Sequence, residues 1–526
     1  MATTTATRLG RGEFKNEAFT DFSQPKNRQA MEEALAKVRS EFGREYPLII
    51  GGEKITTPDK IRSLDPSDPS RVVGVFQKAT PELADRAVEA ASKAFASWKR
   101  VPAAERVECL FRAADILRRR KFEFSAWVTF EVGKTWPEAD GDVAETIDFC
   151  EFYGREMLRL AGPQPLTPIA GEKNFLVYIP LGVGVVIPPW NFPAAIMAGM
   201  TLASIVTGNT VVLKPSSDSP AVAYKFFEVL REAGVPDGVV NFFTGPGGSA
   251  GDALVRHPKA RYIAFTGSKD AGLRISEQAG KTQPGQIWIK RTVLEMGGKD
   301  AIVVDDEADV DAAVEGVAVS AFGYQGQKCS ACSRAIVSAK VYDAFVEKLR
   351  QRVEAMKVGA ADDPGNYMGP VINESAMKSI LEYIEIGKKE GRLVTGGGRV
   401  GEKGFFVAPT VIADVDPKAR LAQEEIFGPV LAVIRARDFD HALQIANDSE
   451  YGLTGAVYSR NPEKLRRAAE EFHVGNLYLN RKCTGAMVGA HPFGGFNMSG
   501  TDSKTGGKDY LLLFLQAKTV AERITK

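Results

Sequence analysis

Cys329 lies in Gly326-Gln327-Lys328-Cys329-Ser330-Ala331-Cys332. A thiol beside a lysine, at what reads as the start of a turn or helix, is expected to ionise readily, and the thiolate is the nucleophile. The bland reading of any lone cysteine is a small buried hydrophobe, and Cys109, Cys150, Cys332 and Cys483 are read that way. Glu295, in Leu294-Glu295-Met296-Gly297-Gly298-Lys299, precedes a Gly-Gly turn. A carboxylate near a dry cleft gains proton affinity by desolvation and can act as general base; the alternative is a hinge carboxylate bonded to its own turn. Asn191 stands in Pro188-Pro189-Trp190-Asn191-Phe192-Pro193. Rigid neighbours would aim its amide as an oxyanion donor, unless it serves only as an Asx turn.

A second set of residues suits a phosphate or ribose. Gly267-Ser268-Lys269-Asp270-Ala271-Gly272 follows a β-branched and aromatic run and opens a helix. Glycine permits close approach, and a helix N-terminus offers free N–H groups to an anion. The G-x-G-x-x-G dinucleotide fingerprint is absent, so a plain connector is the competing reading. Lys214 ends a predicted strand, where a ribose could be reached or where a lysine is simply solvated.

The elements that must hold these groups alternate. Helices are expected from Thr80, as N-cap with Pro81 next, to about Lys99, then over Ala104–Arg120 and Val143–Arg159. In the centre, Val183–Ile187, Thr210–Leu213, Val239–Phe243 and Arg261–Phe265 read as strands. A small-residue helix from about Ala194 and another from Ser219, stopped by Gly234 and Pro236, separate them. Gly245–Gly251 reads as a glycine-rich turn. The alternation restarts after Glu295 with strand Ala301–Val304, helix Val310–Phe322, strand Ala335–Val337 and helix Tyr342–Met356. Two parallel-sheet α/β domains follow, with ligands at strand C-terminal ends. Residues from about Glu13 to Arg44 read as polar, helical decoration, and Asn174–Ile179 with Tyr510–Glu522 as an arm able to extend a neighbour's sheet.

Bulk composition excludes several classes. A length of 526 residues needs more than one core, and 67 Lys plus Arg against 66 Asp plus Glu recommends neither nucleic acid nor an anionic membrane as partner. A small organic substrate fits better. Five cysteines in so long a chain are no disulfide framework, and four scattered histidines give no metal-ligand spacing; no metal is expected. Free thiols suit a reducing compartment, most simply the cytoplasm. The first residues lack the apolar core of a secretory signal. The apolar stretch Leu181–Thr207 is interrupted by three prolines and Asn191, so no membrane span is expected.

Seven stretches, in this order, resemble the aldehyde dehydrogenase superfamily: PPWNFP (188–193), LKPS (213–216), FTGS with Gly272, LEMGGK (294–299), GQKCS (326–330), EEIFGPV (424–430) and PFGG (492–495). The resemblance covers the chain after Arg44. It implies Cys329 as nucleophile, Glu295 as base, and Asn191 with the Cys329 N–H as oxyanion donors. For the cofactor it implies Lys214 on the adenosine ribose, Gly267 and Ser268 at the pyrophosphate, Ile187 and Trp190 along the dinucleotide path, Glu425 on the nicotinamide ribose and Phe427 by the ring. Many members specific for NAD carry Glu where Ser217 stands; without that charge the 2′-phosphate of NADP is not repelled. NAD is expected as main cofactor, with some use of NADP.

TWPEADGDVAETIDFCEFYGRE (135–156), Ser330 after the cysteine, Lys482-Cys483-Thr484-Gly485-Ala486 and the C-terminal tail are similar to one branch of that superfamily, the pyrroline-5-carboxylate (glutamate γ-semialdehyde) dehydrogenases. That likeness implies Ser330 and the N–H groups of Gly485 and Ala486 on a substrate carboxylate, with Phe192 and Phe493 enclosing the aliphatic part. It implies oxidation of L-glutamate γ-semialdehyde to L-glutamate in proline or arginine catabolism, and a homodimer or homohexamer. The organisation expected is an N-terminal helical segment (1–45), a Rossmann-like NAD-binding domain (46–160 and 180–294), an α/β catalytic domain (295–490) and a small β oligomerisation arm (161–179 and 505–526). Another semialdehyde as substrate, a CoA-acylating enzyme, or a non-catalytic relative such as a lens protein are the rival readings.

Overall fold

The computed structural model of the protein describes residues 11–524. Runs such as Val183–Ile187, Thr210–Leu213 and Ala260–Thr266 are buried almost throughout, the mark of strands covered on both faces. They form the centre of a seven-stranded sheet in the order Arg291–Glu295, Ala260–Thr266, Val183–Ile187, Thr210–Leu213, Val240–Phe242, Leu48–Ile50, Glu53–Ile55. The first five are parallel, and the last two form an antiparallel hairpin on the edge. From Val183–Ile187 the chain winds outward through Thr210–Leu213 and Val240–Phe242, then returns to Ala260–Thr266 on the other side. The order therefore reverses between Val183–Ile187 and Ala260–Thr266, and a crevice opens outside their C-terminal ends.

The second sheet also has seven strands: Arg392–Thr395, Thr410–Ala413, Val430–Ala436, Cys332–Ser338, Asp300–Val304, Thr454–Tyr458, Asn476–Leu479. All are parallel except the edge strand Arg392–Thr395. Each sheet separates two apolar cores. Trp127, Phe226 and Tyr262 belong to one face of the first sheet and Val185 and Ile263 to the other; Ile302 and Ile336 divide the second in the same way. A third, three-stranded sheet pairs Glu172–Pro180 with Leu515–Arg523 and, on its other side, with Gln164–Pro165.

The structure departs from expectation at four places. The N-terminal segment is helical only over Pro25–Arg39. Residues 11–24 form no helix and are not decoration, because they give hydrogen bonds to buried carboxylates. Asn16 Nδ2 and the Glu17 N–H donate to Asp148 (2.8 and 2.7 Å), and the Thr20 N–H donates to Asp140 (2.8 Å). Residues 1–10 of that segment lie outside the described residues. The second correction concerns the C-terminal piece. Tyr510–Phe514 is a 3₁₀ turn packed in the core of the first sheet, so the arm strand starts only at Leu515, and 525–526 are not described. The third is an added helix, Lys121–Val132, buried on every side; it lacks the amphipathic stripe by which surface helices are recognised. The helix expected over Val143–Arg159 starts earlier, with Trp136 and Pro137 in its first turn.

Candidate active site

The nucleophile loop is built by a tight reversal. After the Val310–Phe322 helix, Tyr324 and Gln325 take φ of 51° and 57°, a left-handed conformation that costs non-glycine residues energy and persists only where contacts impose it. The contacts are present. Tyr324 Oη donates to the Val132 carbonyl (2.9 Å) and Gln325 Nε2 to the Pro370 carbonyl (2.7 Å). Cys329 follows three residues before the strand Cys332–Ser338. Of the five cysteines it alone is partly exposed; the others are buried.

Asn191 leaves the C-terminal end of Val183–Ile187 and is buried. Its Nδ2 donates to the Gln327 carbonyl (3.0 Å), two residues before Cys329. An amide NH2 carries two protons, so one aims the group and one is left for an oxyanion. The Cys329 N–H donates to nothing among the described residues, which supplies a second donor of the right kind.

Glu295 ends the edge strand Arg291–Glu295. Its Oε1 accepts from the Ser503 hydroxyl (2.7 Å) and N–H (3.2 Å), and Oε2 accepts from the Gly495 N–H (3.1 Å). Burial nevertheless pushes its pKa up to about 7. Ser503 and Gly495 stand some 200 residues from Glu295, and no local pattern announces them.

The sulfur contradicts the sequence reading. Lys328 does not serve Cys329, because its Nζ is bound to Glu138 Oε1 (2.8 Å). Burial raises the Cys329 pKa well above the usual thiol range, and the charges of Asp300, Glu425 and Glu295 raise it further. These surroundings disfavour the thiolate.

The Met296-Gly297-Gly298 link packs against both neighbours. A Cβ on Gly297 would fall 2.0 Å from Glu425 Oε2, and one on Gly298 2.3 Å from the Cys329 carbonyl oxygen. No side chain fits at either position. The Gly298 N–H donates to Glu425 Oε1 (3.0 Å), and burial pushes the Glu425 carboxyl up to about 7. Phe427, at φ 56°, meets Trp190 edge to face with ring centroids 5.5 Å apart.

Residues suited to a dinucleotide gather at the crevice of the first sheet. Ile187 ends one of the two strands that border it, and Gly267 and Ser268 follow the other. Ser268 caps the Lys269–Gly280 helix, accepting from the Ala271 N–H at 3.4 Å, so this helix presents its N-terminus there. Lys214 is buried, and among the described residues the one hydrogen bond of its Nζ is a 3.3 Å contact with the Pro215 carbonyl. Burial alone pulls its pKa down to about 8. A buried ammonium without an anionic partner is costly, and ribose oxygens or a phosphate would relieve it. Ser217 is exposed and brings no charge to that position.

At the other end of the site, Gly485 takes φ +77°, and the N–H groups of Gly485 and Ala486 donate to nothing among the described residues. Two such N–H groups in succession make an anion cradle. Ser330, directly after the nucleophile, is buried. The Phe192 ring lies 6.5 Å from Tyr324, edge to face, and Phe493 exchanges both backbone hydrogen bonds with Thr505 (2.9 and 2.7 Å).

Among the described residues, Asp85–Glu89–His257 and Asp305–Asp306–Glu307 bring ligand-type atoms within 4.8 Å of one another. Lys259 is paired with Glu89, and Lys464 bridges all three acids of the second group.

The sequence profile of the aldehyde dehydrogenase family matches residues 54–520. The 1-pyrroline-5-carboxylate dehydrogenase of Geobacillus thermodenitrificans is 60% identical over 509 residues, covering 97% of this chain and 99% of the relative. Among solved structures, 1-pyrroline-5-carboxylate dehydrogenase from Thermus with bound NAD is 54% identical with a TM-score of 0.96, covering 98% of this chain and 99% of that one. A betaine aldehyde dehydrogenase from Staphylococcus aureus in complex with NAD+ is 29% identical with a TM-score of 0.88, over 93% of this chain and 96% of that one.

Proposed function

The chain belongs to the aldehyde dehydrogenase family, and on that premise we propose that Cys329, Glu295 and Asn191 oxidise L-glutamate γ-semialdehyde to L-glutamate, with NAD as acceptor, in proline catabolism. The substrate is the ring-opened form of 1-pyrroline-5-carboxylate. The observation that carries the site assignment is a partly exposed thiol with a buried amide bonded to the carbonyl two residues before it and with a carboxyl of pKa about 7 whose charge acts on it. Near-full-length identity of 60% to a 1-pyrroline-5-carboxylate dehydrogenase supports the choice of substrate.

Attack requires that the Cys329 proton leave, and Glu295, titrating near neutrality, is the group suited to take it. The thiolate adds to the aldehyde carbon, and the alkoxide is held by Asn191 Nδ2 and the Cys329 N–H. Losing one such donor raises a barrier by about 3–4 kcal/mol. Bound NAD supplies the acceptor for the hydride that leaves the former aldehyde carbon. What remains on Cys329 is a thioester. Once Glu295 has passed the first proton to solvent, it takes a proton from water, whose oxygen attacks the acyl carbon, and the carboxylate leaves as Cys329 regains its proton from Glu295. A base at this position favours water over CoA as acyl acceptor, since a thiol needs little help.

Ser330 and the N–H groups of Gly485 and Ala486 hold the substrate's α-carboxylate, with Phe192 and Phe493 along its methylenes. Lys214, Gly267, Ser268, Ile187, Trp190, Glu425 and Phe427 hold the dinucleotide, and Ser217 leaves room for some use of NADP. The first sheet is the NAD-binding domain and the second the catalytic domain. The arm of Glu172–Pro180 and Leu515–Arg523 assembles a homodimer or homohexamer. No helix among the described residues is long and apolar enough to cross a membrane, and a reducing cytoplasm suits the free thiols.

Comparison of kcat/KM across semialdehydes tests the reading. Glutamate semialdehyde is expected to exceed succinate semialdehyde by at least about tenfold, the order that one missing carbon between aldehyde and carboxylate costs. The reverse order would reject the substrate, and product formed only with added CoA would reject hydrolysis.

A further inference from the structure

Lys134 has no part in the chemistry above, yet its side chain is fully buried. It stands in the short turn between the helices Lys121–Val132 and Trp136–Leu160. This turn is tied to the nucleophile loop: Gln325 Nε2 donates to the Gly133 carbonyl (3.1 Å) and Tyr324 Oη to the Val132 carbonyl (2.9 Å). From there the ammonium donates to Asp142 Oδ2 (3.1 Å) and sits 3.6 Å from the Phe192 ring centroid and 4.8 Å from that of Tyr324. The other oxygen of Asp142 accepts from the Ala195 N–H (2.8 Å), at the first residue of the Ala195–Val206 helix. One ion pair therefore grips residues 192–195 from both sides. Asn191 is the next residue along.

An ion pair this deep is a poor way to gain stability, because both charges give up water and an apolar pair of the same volume does as well or better. Its geometry gives it another use. A cation over an aromatic face fixes that ring, and a carboxylate at a helix N-terminus fixes the first turn. Both constraints meet at the turn that carries the Asn191 amide.

We propose that Lys134 and Asp142 are positioning residues that hold the 191–195 turn in register with the nucleophile loop, so that the Asn191 amide faces the oxyanion formed on Cys329. The proposal rests on the reading of Asn191 given above. A small misplacement of a donor costs rate steeply, since its bond forms in the transition state.

A double-mutant cycle tests it. The readout is the single-turnover burst of NADH, which reports acylation, with glutamate semialdehyde and saturating NAD. Lys134→Met is expected to slow the burst about tenfold when Asn191 is present, and by less than about twofold in an Asn191→Ala background. Equal fold-losses in both backgrounds, or no loss in the first, would overturn the proposal. If Lys134→Met does not fold because Asp142 is left unpaired, the variant Lys134→Met/Asp142→Asn takes its place in the cycle with the same expected outcome. A burst from Asn191→Ala as fast as that of the unchanged protein would overturn the oxyanion reading itself, and this proposal with it.

Discussion

Glu295 shows how one carboxyl can hold two opposing influences. Three donors from Ser503 and Gly495 favour its charged form, yet burial outweighs them and leaves the group titrating at about 7. A base works only when deprotonated. Hydrolysis of the acyl-enzyme should therefore rise with pH through about 7 and level off above it. Glu295→Gln should slow the NADH burst, because the Cys329 proton loses its acceptor, and should slow deacylation by about 100-fold or more, so that a mass spectrum shows the acyl group retained on Cys329. A burst as fast as that of the unchanged protein would mean that another group takes the Cys329 proton. The type and position of Glu295, Asn191 and Cys329 could be read from sequence, because the surrounding Gly-Gly and Pro-rich segments have a chemical rationale. The state of the sulfur could not. An adjacent Lys328 suggested thiolate, but the lysine side chain turns to Glu138, and Asp300, Glu425 and Glu295 arrive from distant segments.

Among the elements, strands buried on both faces were the most legible, since runs such as Thr210–Leu213 and Asp300–Val304 have few other uses. The N-terminal segment was the least. Its polar composition reads as solvated helix, but residues 11–24 form a strap whose donors meet carboxylates on the Trp136–Leu160 helix. Such pairing across more than 100 residues leaves no periodic trace. The strap also reaches the loop that carries Gly485 and Ala486: Asn16 Nδ2 donates to the Val488 carbonyl (3.0 Å) as well as to Asp148. Asn16→Ala removes both bonds, one of them to a carboxylate, and should lower unfolding stability by about 2 kcal/mol. Denaturant titration measures this; an unchanged midpoint would show that the strap is held without it. The Lys134–Asp142 pair escaped the sequence for a related reason. Lys134 stands in a turn, outside the helix that carries Asp142, so no periodicity of one element links the two.

Over the whole molecule, two open parallel sheets each end in an antiparallel edge strand, while the third sheet stands apart from both. The outer edge of Leu515–Arg523 pairs with no strand among the described residues, and an uncovered edge is a template for another chain. Proline interrupts such a ladder, so Thr519→Pro should shift sedimentation from an oligomer toward the monomer. An unchanged sedimentation coefficient would move the interface elsewhere. The crowd of acidic groups around Cys329 has a consequence for how the protein endures. Peroxides and alkylating agents consume the ionised form of sulfur, and these groups disfavour that form. Enzyme waiting for its substrate should therefore react slowly with iodoacetamide at neutral pH, and a rate equal to that of a free thiol would remove this expectation.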